Sequence, residues 1–289
     1  MAGTKEILDR IGSIKETLKV TNAMYLISSS KIRKARKKMT EVQAYYDAIR
    51  STIGEVLATA PDMEHKYLEN DKDDGERRRA YLVITADKGL AGAFNLNVIK
   101  LAETELSAHP DAELFVVGQV GCHHFDRRGI KHDEDFIYSA QDPTMQRARY
   151  IAADLMDGFE KQKYGEIYVI YTRMKNALSS ETVMTKLMPL SKEAFRQSNG
   201  KYTGEESFYP DAATVFNQIA PLTMQGVIFT ALIESYCAEL NDRMTAMSSA
   251  TKNAEKAIQE LELEYNRMRQ GSITQEITEI IAGSRAQKR

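Results

Sequence analysis

Helix breakers are missing from both ends of this sequence. Between Gly12 and Gly54 there is neither glycine nor proline, and the first proline of the chain is Pro61. From Val227 to Gln270 both residues are again absent. Nothing in either stretch forces a helix to stop. Cysteine occurs only as Cys122 and Cys237, with no repeating spacing. That excludes a disulfide framework and fits a reducing compartment. The start, "MAGTKEILDR", has no apolar signal core and no Arg/Ser-rich transit segment. No apolar run reaches the roughly 18 residues of a membrane span, so no membrane insertion is expected. The formal net charge of −2 gives no bulk bias toward nucleic acid or lipid. The absence of tryptophan excludes nothing.

What is present is a long seam. Ile7, Ile11, Ile14, Leu18, Thr21, Tyr25, Ser28, Ile32, Ala35, Met39, Val42, Tyr46, Ile49, Ile53 and Val56 follow alternating steps of four and three. A repeat averaging 3.5 residues predicts a left-handed coiled coil over residues 1–60. A second seam begins at Ile219 and runs through Leu222, Gly226, Phe229, Ile233, Tyr236 and Leu240. After one extra four-step it resumes at Met244, Met247, Thr251, Ala254, Ile258, Leu261, Tyr265 and Met268. It lies in a helix expected over 211–289.

The middle has another texture. The polar segment 61–79 reads as a linker. Its "NDKDDG" lacks the ligand spacing and closing Glu of a calcium loop. Over 80–210, "AYLVITA", "ELFVVG" and "EIYVIYT" are short runs rich in β-branched and aromatic residues. They alternate with helical stretches around 89–107, 119–128 and 144–163. "ETVMTKLMPL" (181–190) and "ESFYPD" (206–211) read as further strands. This order predicts a Rossmann-like α/β domain with a largely parallel sheet. The fold class is therefore α/β plus a long helical coiled coil, its terminal helices pairing antiparallel.

At 1.5 Å per residue the first helix spans roughly 85 Å and the last roughly 110 Å, so the last outruns its partner by roughly 25 Å. That overhang keeps an apolar stripe at Ile273, Ile277, Ile280 and Ile281, which nothing in this chain covers. An apolar stripe on an unpaired helix predicts a protein partner.

Three features invite a chemical reading. "ADKGLAGAFN" (86–95) follows a strand and opens a helix, but it lacks both the dinucleotide glycine spacing and the P-loop Lys. A tight turn with Asp87 near the helix cap is the reading taken. "GCHHFDRRGIKHDEDF" (121–136) contains zinc-type ligands, yet Cys122, His123 and His124 are consecutive and point apart on a helix. No metal or other cofactor is expected. "KIRKARKK" (31–38) has six basic residues in eight. It suits a solvated face, an acidic protein surface or a nucleic acid backbone. A nucleotide-using α/β enzyme and a nucleic-acid-binding scaffold thus remain as rival readings.

Three blocks carry a resemblance across the whole length. "KEILDRIGSIKETLKVTNAMYLISSSKIRKA", "DKGLAGAFN" and "RMTAMSSATKNA" with "YNRMRQGSITQEITEIIAG" resemble the gamma subunit of rotary F-type ATP synthases, of bacterial type. The turn departs from the common pattern in beginning Ala86-Asp87, and Tyr236 makes "ESYCAEL" bulkier than usual.

The resemblance implies a shaft inside a ring of three alpha and three beta subunits, its foot meeting epsilon and the c-ring. It implies no catalytic site of the chain's own, no nucleic acid, and a peripheral place on the cytoplasmic face of the bacterial plasma membrane. Carried over by motif, Met24 and Arg243 lie at the neck. Arg269, Gln270, Thr274 and Glu276 contact the catch loops of the head. Lys31, Arg33 and Lys34 face the acidic lever segments of beta, and the isoleucine stripe enters an apolar sleeve.

Overall fold

The computed structural model describes residues 2–69, 77–176, 179–196 and 208–287. In chain order its elements are α1 (Ala2–Thr59), β1 (Arg79–Ile84), α2 (Phe94–Ala108), β2 (Glu113–Val117), α3 (Gln119–Arg128), α4 (Met145–Glu160), β3 (Glu166–Met174), β4 (Ser180–Met188), α5 (Glu193–Arg196) and α6 (Ala212–Gln287). By packing, the chain divides into two compact units. One joins Met1–Ser28 with Arg243–Arg289, and the other is Ser29–Asp242.

The first unit is an antiparallel helix pair. Thr21 meets Thr251, with 2.9 Å between their hydroxyl oxygens, and Lys15 meets Glu262 at 3.5 Å. Residue numbers rise on α1 as they fall on α6, so Ser272 reaches the level of Thr4, near the start of α1. Beyond it α6 continues alone to Gln287 for roughly 20 Å. Ile11, Thr21, Ser28 and Met247 are buried in the seam. Tyr25 is not a seam residue: it is 37% exposed, and Met24 takes the inward position instead. The local steps from Leu18 are therefore three, three and four instead of three, four and three, with the overall register kept at Ser28.

The apolar side chains described on the overhang are open to solvent. Ile273, Ile277, Ile280 and Ile281 are 47–71% exposed. Gly271 has open space where a Cβ would stand. The Thr274 and Thr278 hydroxyls donate back to the carbonyls of Gln270 and Thr274 at 2.9 and 2.7 Å. The side chains of 283–289, in the charged tail, lie outside the described residues.

The second unit holds the sheet, in the order β2-β1-β3-β4. β1 pairs parallel with β2 and β3, while β4 returns antiparallel along β3. β1 and β2 are buried on both faces, which is why their sequences read as continuous apolar runs. Tyr81, Val83, Leu114, Val116 and Ile170 pack against Val98 and Ala102 of α2 and Phe125 of α3. Strand alternation turns Leu82, Ile84, Phe115 and Val169 to the opposite side, and α4 packs against β3. β4 is half-exposed along most of its length, as an edge strand can be.

Segment 61–79 is less of a solvated linker than its composition predicts. Tyr67 and Leu68 are 2% and 4% exposed, and Leu68 bridges Leu190. Asn70–Gly75, the calcium-loop candidate, lies outside the described residues. So does the first part of "ESFYPD", and its described part, 208–211, forms no strand.

α6 has the length and hydropathy of a membrane span by composition alone. In this fold more than half of its apolar window is buried within the chain: Phe216, Ala220, Ile228 and Ile233 have no exposed surface. Pro221 lies inside that stretch and removes one helical donor. The helix continues through it because the flanking apolar face is packed.

Candidate functional site

The turn after β1 is packed at its centre. Ala86, Ala91 and Phe94 are buried together against Ala238 of α6, with Met174 at the margin. The small residues of "ADKGLAGAFN" let the turn sit directly on the long helix. Leu90 and Gly92 have positive φ of 65° and 58°, which folds the turn tightly enough to do so.

Asp87 is committed to the protein. Its carboxylate accepts from Ser139 Oγ at 2.5 Å and from the backbone N–H groups of Gln119, Ala140 and Gln141, each at 3.3 Å. It therefore ties the start of α3 to the segment before α4, instead of capping α2 as the sequence suggests. The cap residue of α2 is Ala93, which has no side-chain hydrogen bond. Asn95 Oδ1 instead accepts from the Ala86 N–H at 2.8 Å. Gly118, at φ 95°, brings the chain past Thr85 so closely that a Cβ there would stand 2.4 Å from the Thr85 carbonyl oxygen.

The Cys/His segment is dispersed. His124 Nε2 lies 2.9 Å from Glu103, and His132 Nε2 lies 3.0 Å from Asp126. Burial pushes the half-buried Cys122 thiol up, away from thiolate character. Among the described residues no three His, Cys, Asp or Glu side chains are grouped to hold a metal. A cavity of about 500 Å³ lies between α1, α6 and the segment after β4, with Tyr46, Phe195 and Met224 in its lining. Lys186 in its wall is bonded to Glu69 and Glu166 at 2.9 and 2.8 Å.

The residues singled out from sequence lie along the two long helices. In the helix-pair unit Met24 is half-buried and Arg243 is 9% exposed. Arg269, Gln270, Thr274 and Glu276 are exposed on α6 with the isoleucines of the overhang. In the other unit Lys31, Arg33 and Lys34 are exposed while the neighbouring Ile32 and Ala35 are buried. The seam thus points its apolar positions inward and leaves the basic ones in water. Sequence reading passed over Lys38, which pairs with Asp142, and the multiple bonding of Asp87. Those partners lie 104 and 52 residues apart in sequence, so local patterning carries no signal for them.

One unit is an antiparallel pair of long helices and the other holds a small Rossmann-like sheet, which defines the class as a coiled-coil protein with an α/β domain. A family profile described as ATP synthase matches residues 3–286. The ATP synthase gamma chain of Acetivibrio thermocellus is 39% identical over 295 residues, covering 100% of both chains. A chain of the Euglena gracilis mitochondrial ATP synthase, from an assembly of OSCP, F1 and c-ring, shares the fold. Its TM-score is 0.68 at 16% identity, over 99% of this chain and 94% of that one. A chain of the Tetrahymena thermophila central stalk and c-ring gives a TM-score of 0.59 at 22% identity, over 80% and 99%. The chain belongs to the ATP synthase gamma chain family, and so is a subunit of that complex.

Proposed function

We propose that this chain is the central rotor shaft of an F-type ATP synthase. It couples ion flow through a c-ring to the conformational cycle of three alpha and three beta subunits, and it performs no bond chemistry itself. The observation that carries the reading is the overhang: a helix that leaves its partner near Ser272 and continues with four exposed isoleucines. Free in water, that stripe is unfavourable; inside an apolar sleeve its burial contributes to holding the shaft in place.

Coupling then follows from asymmetry. Each side of the helix pair presents different groups, so each stabilises a different conformation of the subunit it faces. The exposed Lys31, Arg33 and Lys34 suit the acidic lever segments of beta. Met24 and Arg243 lie at the neck, and Arg269, Gln270, Thr274 and Glu276 meet the catch loops. The α/β body is the foot, against epsilon and the c-ring. The complex places the chain peripherally on the cytoplasmic face of a bacterial membrane.

Native mass spectrometry of complexes purified from source membranes through a tag on this chain tests the reading. The expected mass corresponds to one copy with three alpha and three beta subunits. A lone chain or a homodimer would overturn it.

A further inference from the structure

The segment between Tyr138 and α4 is held from four directions within the unit of residues 29–242. From the turn after β1, Asp87 accepts from Ser139 Oγ and from the N–H groups of Ala140 and Gln141. From α4, Arg147 Nη1 donates to the carbonyls of Gln141 and Asp142 at 2.7 and 3.4 Å. From α1, the Lys38 ammonium pairs with the Asp142 carboxylate, and Lys31 adds to the positive potential there. On the α6 side, Tyr236 lies near enough to Asp142 to feel its charge, and the turn that carries Asp87 packs through Ala86 and Ala91 on Ala238. Tyr138 is itself anchored to the end of β2 through the N–H of Gly118, at 3.1 Å. Asp142 has a φ of 47°, so the strap turns sharply where the two long helices take hold of it.

No other use is evident for this bonding. Ala140 and Pro143 are buried, while the polar groups of the strap are engaged by Asp87, by Arg147 of α4 and by Lys38 of α1. An exposed ion pair alone stabilises little. Here the pair is one corner of a network whose opposite corner is a half-buried carboxylate with four donors, which fixes geometry more than it adds stability. We propose that residues 139–142, together with the Asp87 turn that packs on Ala238, form the joint through which the α/β body grips both long helices, with Asp87, Lys38 and Asp142 as positioning residues for torque transfer. The proposal rests on the shaft reading above.

The test uses the assembled complex in sealed vesicles, measuring ATP hydrolysis and ATP-driven ion uptake together. Asp87→Asn puts an amide among groups that need an acceptor. Lys38→Asp sets two carboxylates against each other. Both variants are expected to keep hydrolysis near the unmodified rate while ion uptake per ATP falls several-fold. Lys38→Asp combined with Asp142→Lys restores the pair with reversed polarity and should recover most of the uptake. Unchanged uptake per ATP in both single variants would overturn the joint, as would a double variant no better than Lys38→Asp. If the unmodified complex hydrolyses ATP with no ion uptake at all, the shaft reading itself fails, and that outcome is distinct from the first two.

Discussion

Gly226 on α6 lies flat against the ring of Tyr46 on α1. A Cβ added at Gly226 would stand 2.1 Å from the Tyr46 ring, well inside van der Waals contact. The Tyr46 hydroxyl is anchored 3.2 Å from Met145 Sδ, so the ring has no simple retreat. The two helices approach this closely because one of them has no side chain there. Gly226→Ala is expected to cost about 1–3 kcal/mol by overpacking, despite the better helix propensity of alanine. Thermal unfolding of the purified chain measures it, and a variant as stable as the parent would show that the helices can part freely.

The hydroxyl pair of Thr21 and Thr251 should behave non-additively. Thr21 is 7% exposed, and its hydroxyl faces that of Thr251 at 2.9 Å. Each hydroxyl also has a partner of its own, the Leu18 carbonyl for Thr21 at 3.0 Å and Asn22 Oδ1 for Thr251 at 3.3 Å, so changing one threonine to valine is expected to cost about 0.5–1 kcal/mol, and changing both less than the sum. A double-mutant cycle in denaturant reads the coupling directly; strict additivity would mean that the pair does not interact.

Glu234 gives a pH dependence of definite sign. It sits on α6 facing β3, and burial raises its carboxyl above the usual range despite a hydrogen bond from Tyr171 and the nearby Arg173. The native state therefore prefers the protonated acid. Its contribution to stability is present in full below the unfolded carboxyl range and is lost as pH rises through the raised native value. Glu234→Gln should thus be more stable than the parent at neutral pH, and the advantage should vanish toward pH ~4. Melting temperatures across that range decide it, since a difference independent of pH would assign the effect to packing alone.

On the overhang, replacing Ile273, Ile277, Ile280 and Ile281 by serine should change the stability of the chain by about 0.5 kcal/mol or less per site, because these side chains are exposed within it. Assembly should suffer much more. The expected result is weaker retention of the alpha and beta subunits on a tagged chain at equal melting temperature. Undiminished retention would remove the isoleucines from the interface.

Much of this fold is legible in the sequence because its signals are local. Ile7 through Val56 mark the α1 seam by spacing alone, and β1 and β2 announce burial on both faces by unbroken runs of Tyr, Leu, Val, Ile and Phe. The antiparallel return of β4 is not legible. "ETVMTKLM" reads as a strand in either direction, and only the chain reversal after Met174 sets its sense. Strict four-three counting selects Tyr25 where the structure turns Met24 inward, because it cannot register two exchanged steps between Thr21 and Ser28. For the candidate site the division is sharper. The exposed isoleucine stripe follows from helix lengths, while the neck and catch residues rest on resemblance. The bonding of Asp87 depends on Gln119, Ser139, Ala140 and Gln141, all distant in sequence, so no window around "ADKGLAGAFN" contains it.

The overhang also has a mechanical meaning. Two helices packed side by side resist bending and twisting far better than one, so beyond Ser272 the rod becomes abruptly softer. Gly271 sits at that boundary with no side chain to brace it, and two threonine hydroxyls in the next turns bond back onto the helix backbone, a habit that bends helices. Elastic compliance is thereby concentrated in the last few turns of α6. A rod rigid over its paired length and compliant at its tip can seat in a bearing that is not perfectly aligned with it. It can then spin without passing its wobble back along the shaft.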